Sequence, residues 1–473
     1  MKLYKKIALL VVIIFAAIFA VEDVFAEIKL PAFFSNNMVL QQQTDVAIWG
    51  KANSNATVKV VTSWNKKSYV TKVAADGSWK LKVATPKAGG PYNLTISDGK
   101  LLTLENVLIG EVWFCSGQSN MEMPLKGYFN QPVIGSLDAT VNASASTMRF
   151  FTTAKATSTT PLDSCKGSWE ICNSETASEF SATAFFFGRM LNKVLNVPVG
   201  LIQSSWGGTT IQPWISEDGC KVFDFIKDTA KLKNPPSSHS VLYNAMVNPI
   251  VGYGIKGVIW YQGESNRPEP ENYEKLFPGL IKDWRTKWEL GEFPFYYMQI
   301  GPVGKNEAKP NSAFLREAQF KVSNVEPNVG MACILDIGEQ NLVHPANKEI
   351  GSNRLAYLAL SQTYQIKGIS CHSPKYKAIT IRNDTAKITF SDTPNGLSSF
   401  GKTLSNFEMA GADKVFHPAT AVITREGVTV KSALVPVPVA VRYAFKSFVV
   451  GDLFGVNGLP VSSFRTDDWE REK

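Results

Sequence analysis

The sequence predicts an α/β protein: a mostly parallel sheet with helices on both faces, flanked at each end by β-rich segments. Three observations carry this. Strand-like and helix-like runs alternate between residues 106 and 368, the order that builds parallel sheets. Over residues 27–105, short runs rich in β-branched and aromatic residues recur about every ten residues, the spacing of a small β-sandwich. Strand-like text returns over 369–473, with no internal repeat or low-complexity stretch. The accessory β-sandwich is therefore expected to draw strands from both ends. The C-terminal segment is expected to pack on the core or on the N-terminal unit.

The first 26 residues set the compartment. Lys2, Lys5 and Lys6 precede an apolar run over 7–20, and Val24-Phe25-Ala26 offers small residues for cleavage. That is a secretory signal pattern. The run is short for a membrane span and nothing comparable recurs, so the expectation is an exported protein, periplasmic or extracellular, without a membrane anchor after processing.

Composition suits a large globular enzyme: 473 residues, 44% hydrophobic, net charge +8. The mild positive balance suits an anionic substrate. With no basic run or nucleic-acid motif, a nucleic-acid partner is excluded, and nothing in the pattern speaks to oligomeric state. Of six cysteines, Cys165 and Cys172 are spaced to close a small disulfide loop, one of fifteen pairings open to six thiols. Cys115, ending an apolar run, reads as a buried small hydrophobe. No Cys or His spacing matches a zinc site, so no metal is expected.

In chain order, strands are expected at 46–50, 57–62, 69–73, 79–83 and 92–96. The apolar run 107–115 then leads into Ser116-Gly117-Gln118-Ser119-Asn120. A serine at a strand-to-helix turn exposes its hydroxyl and brings backbone N–H groups with it. The G-x-S-x-G elbow is absent. A Ser-capped helix over 181–195 and a strand over 197–203 precede Trp206-Gly207-Gly208-Thr209. The strand 257–261 precedes Gln262-Gly263-Glu264-Ser265-Asn266. A helix (273–288), strand (293–300), helix (313–322) and strand (330–335) follow. Asp336, a loop holding His344-Pro345 and a helix over 347–359 close the unit. Ligands of such sheets bind beyond the strands' carboxyl ends, where Ser119, Gly207-Gly208, Gln262 and His344 all fall.

Ester hydrolysis needs a nucleophile, a base and donors for a tetrahedral oxyanion. Ser119 supplies the first. Of the four histidines, His344 has the right position for the base; His417 lies in β-like text and His239 between blocks. The Ser119 N–H, the Gly207 or Gly208 N–H, and the Gln262 or Asn266 amide are the candidate oxyanion donors. Each is an ordinary turn or strand end alone; their joint order is what points to chemistry.

These blocks resemble the SGNH hydrolases, in particular their sialate O-acetylesterase group. The resemblance rests on Gly117-Gln118-Ser119-Asn120-Met121-Glu122-Met123, Trp206-Gly207-Gly208-Thr209, Gln262 to Asn266, and His344-Pro345 with Lys348. It extends to Asn37-Met38-Val39-Leu40-Gln41 and to the stretch from Gly458 to Trp469. It implies a flavodoxin-like, three-layer SGNH core and serine acyl transfer on O-acetylated sugars, sialic acids foremost, without metal or cofactor. SGNH enzymes often hold an Asp three residues before the histidine; here that residue is Asn341. Either a Ser119–His344 dyad operates, with Asn341 orienting the ring, or Asp336 or Glu264 supplies a carboxylate. Acetylated xylan or xyloglucan is the rival substrate, with Trp206 and Trp214 available for stacking. A non-catalytic carbohydrate-binding protein is the rival class. A peptidase or lipase is disfavoured by the missing elbow and the missing apolar lid.

Overall fold

The computed structural model describes residues 28–226, 235–305 and 311–470, so the expected signal segment 1–26 lies outside the described residues. The fold is organised on one strand, Leu101–Gly117. Its first half pairs antiparallel with Gly89–Ser97, and its second half pairs parallel with Val199–Ser205 and Gly257–Tyr261. Residues 101–106 are mostly open to solvent, whereas every residue from 107 to 117 is buried, as in a strand covered on both faces. The boundary expected at 105/106 therefore falls inside a strand whose partners change while its backbone does not.

The core sheet runs Val329–Ala332, Phe295–Met298, Gly257–Tyr261, Leu101–Gly117, Val199–Ser205, Met148–Thr152 and Trp169–Ile171. All neighbours are parallel except the last pair. Successive side chains of the central strand feed opposite layers. Val112 and Phe114 join one apolar cluster with Phe277 and Trp284, and Trp113 and Cys115 join the other with Phe187 and Leu355. Helices Pro270–Trp288 and Ala313–Val325 pack together on one face, and Ala182–Leu195 and Lys348–Leu358 on the other. This is the three-layer α/β core expected. Ser181 caps its helix as read from sequence, its Oγ accepting from the Ala184 N–H at 3.1 Å. Met148–Thr152 and Trp169–Ile171, five and three residues long, were not read from the sequence; the second is the sheet's edge strand.

The strands of the two ends hydrogen-bond into separate sheets. At the N-terminal end, Asp45–Lys51 pairs with Ser78–Ala84, and Thr57–Thr62 lies between Ser68–Lys72 and Gly89–Ser97. The C-terminal strands form their own sheets, two of them four-stranded. The reason is anchoring. The N-terminal strands continue into the core through Leu101–Gly117, whereas the tail is tied to helix Ala313–Val325. There the buried Arg316 donates from Nε to Ser463 Oγ at 3.0 Å, and Arg465 pairs with Glu317 at 2.9 and 3.0 Å.

Cys165 and Cys172 are free, buried thiols in different apolar clusters, so the expected disulfide loop is not formed. Cys115 is fully buried and burial pushes its thiol well above the ordinary range, the opposite of an activated nucleophile. Among the described residues no helix is long and apolar enough to cross a membrane.

Candidate active site

Where the central strand ends, Gly117 has φ +143°, and a Cβ there would stand 2.1 Å from the Tyr261 carbonyl oxygen. Only glycine fits. That close approach lets the Gln118 N–H donate to the same carbonyl at 3.0 Å, and the chain then turns into the short helix Ser119–Glu122. Gln118 Oε1 accepts from the Gly263 N–H at 3.2 Å, tying this turn to the next strand end. Ser119 is thus presented between strands Val199–Ser205 and Gly257–Tyr261, at the topological switch point of the sheet.

The loop after strand Val329–Ala332 brings His344 Nε2 to 2.7 Å from Ser119 Oγ, across 225 residues of chain. On the ring's other side, Nδ1 meets Gln131 Oε1. A carbonyl oxygen only accepts, so Nδ1 carries the proton and Nε2 is left to accept from the Ser119 hydroxyl. Gln131 is held by a tight turn in which Tyr128 and Gln131 exchange both backbone hydrogen bonds at 3.0 Å. The Tyr128 ring stands edge-on to the imidazole at 5.4 Å. Burial first, and the Lys348 cation second, lower His344 to about 4.

The three residues expected to orient His344 are placed elsewhere. Asn341 is exposed, turned outward by the bridge between Glu339 and Leu342. Asp336 receives both terminal nitrogens of Arg354, each at 2.7 Å. Glu264 accepts from Asn120 Nδ2 at 2.5 Å. Among the other histidines, His417 sits in a C-terminal sheet opposite Met409. Asn341→Asp is accordingly expected to leave turnover unchanged. Asp336→Asn is expected to act on stability, since removing one partner of a buried pair costs ~3–5 kcal/mol; Asp336 and Arg354 side chains are 14% and 8% exposed. A thermal melt beside kcat of the folded variant checks this. A collapse of kcat with Tm unchanged would put Asp336 back in the reaction.

The oxyanion side also differs from expectation. A Cβ on Gly207 would stand 3.2 Å from Ser119 Cβ, a tight contact beside the serine, but its N–H donates to Glu122 Oε2 at 2.6 Å. Both Gln262 amide hydrogens are committed, to Thr209 O at 3.1 Å and Asn266 Oδ1 at 2.8 Å. Asn266 in turn accepts from the Ile211 N–H at 2.9 Å and donates to Gln212 Oε1 at 3.2 Å. These two amides brace the 207–212 turn. That leaves the Ser119 N–H, in the unpaired first turn of its helix, the Gly208 N–H and the second Nδ2 hydrogen of Asn266 as donors for an oxyanion. Trp214 is fully buried, its Nε1 donating to Thr209 Oγ1 at 3.0 Å, and is closed to a sugar. Trp206 is half-buried, with the Lys155 ammonium 5.6 Å from its ring centre.

Sequence reasoning missed Gln131, Glu122 and Asn120 as parts of the site. The last two lie in the serine block and had that adjacency as a signal; Gln131 had none.

A family model for carbohydrate esterases described as sialic acid-specific acetylesterases matches residues 109–357, more than half of the chain. The chain belongs to this family. As a sialic acid-specific acetylesterase family member it is a carboxylic ester hydrolase, and the matched span contains Ser119, Gly207, Gln262 and His344. It is 30% identical to human sialate O-acetylesterase over 385 residues, 73% of each chain. To the mouse protein of that name it is 30% identical over 426 residues, 75% of this chain and 76% of that one. Among solved structures, a carbohydrate acetylesterase from Xanthomonas citri superposes with TM-score 0.86 at 33% identity, covering 94% of this chain and all of that one. The likeness of this family member to a solved esterase thus includes the accessory β structure as well as the SGNH-type core.

Proposed function

We propose that this chain removes O-acetyl groups from carbohydrates by serine acyl transfer, with O-acetylated sialic acids as its substrate class. The contact between Ser119 Oγ and His344 Nε2 carries the reading. As Oγ attacks the acetyl carbonyl carbon, its proton passes to Nε2 and the carbonyl oxygen becomes an oxyanion facing the Ser119 and Gly208 N–H groups. His344 then gives that proton to the departing sugar oxygen, leaving acetyl-Ser119. Water, deprotonated by the same nitrogen, attacks the acetyl carbon, and acetate leaves as Oγ regains a proton. No step calls for a metal or cofactor. The N-terminal pattern of lysines and apolar residues supports export, to the periplasm or beyond the cell.

The names of the human and mouse relatives support sialic acid; Lys155, the cation beside the serine turn, is already paired with Glu122 at 2.7 Å. Acetylated hemicellulose is the second reading, favoured by the half-buried Trp206 ring. Acetate release from O-acetylated sialic acid and from acetyl-xylan, compared as kcat/KM, is expected to favour the former by about tenfold or more, equivalent to ~1.4 kcal/mol. The reverse preference would reassign the substrate while leaving the esterase in place.

A further inference from the structure

We propose that Asn120, Lys348 and Glu264 form a buried brace that locks the Ser119 turn to the His344 loop and sets a positive charge near the imidazole, keeping His344 a proton acceptor. The inference rests on the serine–histidine reading above and gives both residues a shared positioning device.

Asn120 follows Ser119, and Val343 precedes His344. Asn120 Nδ2 donates to Val343 O at 3.1 Å and to Glu264 Oε1 at 2.5 Å, while its Oδ1 accepts from Lys348 Nζ. Its backbone oxygen accepts from Thr183 Oγ1 at 3.0 Å, so one amide residue joins four segments. Lys348 and Glu264 are 3% and 6% exposed, and Glu264 Oε2 has no hydrogen-bond partner. Burying two charges linked through a neutral amide is a poor way to gain stability. It is an effective way to set a local field.

Burial pushes Glu264 up and Lys348 down, to about 7, with the opposite charge working against burial in each. Lys348 is therefore charged throughout the acidic range in which an imidazole would ordinarily take up a proton. The ring has the neutral Gln131 on Nδ1 and the neutral Tyr128 at its edge. Glu339 spends its carboxylate on the Ala346 N–H, and Glu122 pairs with Lys155 and the Gly207 N–H across the serine. No carboxylate meets either ring nitrogen among the described residues, so nothing offsets burial, and the Lys348 cation adds to it in the same direction. The result is a weaker base that stays unprotonated in acid.

The test is a histidine NMR titration of the whole protein, with the His344 resonance assigned by its loss in His344→Gln. Lys348→Gln keeps a donor for Asn120 Oδ1 but removes the charge, and is expected to raise the His344 midpoint by about one pH unit or more. Lys348→Arg keeps the charge and is expected to leave it low. The acid limb of kcat/KM should move with the midpoint. An unmoved midpoint in Lys348→Gln, or equal rises in both variants, overturns the proposal. Should Lys348→Gln fail to fold, Lys348→Arg and Glu264→Gln still decide: a rise in either contradicts the brace. The titration needs no substrate, so it stands apart from the serine reading, which fails only if Ser119→Ala still releases acetate.

Discussion

Ser119→Ala is expected to lower acetate release by about 10^6-fold while Tm stays within a degree or two of the parent. The size follows from chemistry: without Oγ no acetyl-enzyme forms, and what remains is binding plus oxyanion stabilisation. The small structural effect follows from geometry. The Ser119 side chain has one hydrogen bond, to His344, whereas the turn itself is held by Gly117 against Tyr261 and by Gln118 bonded to both Tyr261 and Gly263. Steady-state release from O-acetylated sialic acid, beside a melting curve, measures both. A variant within about tenfold of the parent would remove Ser119 from the reaction.

His344→Ala is expected to cost a similar factor, because serine and base act as a unit and the loss of either disables both. His417→Ala is expected to be silent, its strand lying in the C-terminal sheet. Gln131 separates orientation from charge. Gln131→Ala frees the ring and should cost about 10²-fold in kcat, the scale of an ångström-sized misplacement. The pH dependence carries the sign. The reactive imidazole is the unprotonated one, and with its pKa lowered to about 4 that form persists until pH falls through this value. Gln131→Glu places a carboxylate on Nδ1–H, favours imidazolium, and should move the acid limb upward. An acid limb unchanged in Gln131→Glu would show that Gln131 does not face the ring during turnover.

The serine and histidine were legible because each follows a strand-like run, and alternating strands and helices leave strand ends along one edge of a sheet. The glycine pair and the Gln262 block were legible in position but not in role. What decides an amide's role is which acceptors surround it, and Gln262 spends both hydrogens on its own turn. Gln131 was hidden because it meets His344 across 213 residues from an irregular loop, with no periodicity to mark it. Asn341 stood out only through the family resemblance, as the residue at a position where SGNH enzymes often hold an Asp, and here it is exposed. The 105/106 position falls within Leu101–Gly117 for a related reason: local residue preferences report that a strand exists, not where it changes partners.

The strand Leu101–Gly117 has a consequence for inheritance. Its outer half belongs to the N-terminal sheet and its inner half delivers the chain to Ser119, with no linker between them. Recombination that swaps whole modules needs a seam where few contacts cross, and here the seam would cut a hydrogen-bonded ladder and bare an unpaired edge. The β-rich front end and the hydrolase thus offer no seam for such an exchange along Leu101–Gly117, one strand that serves both sheets.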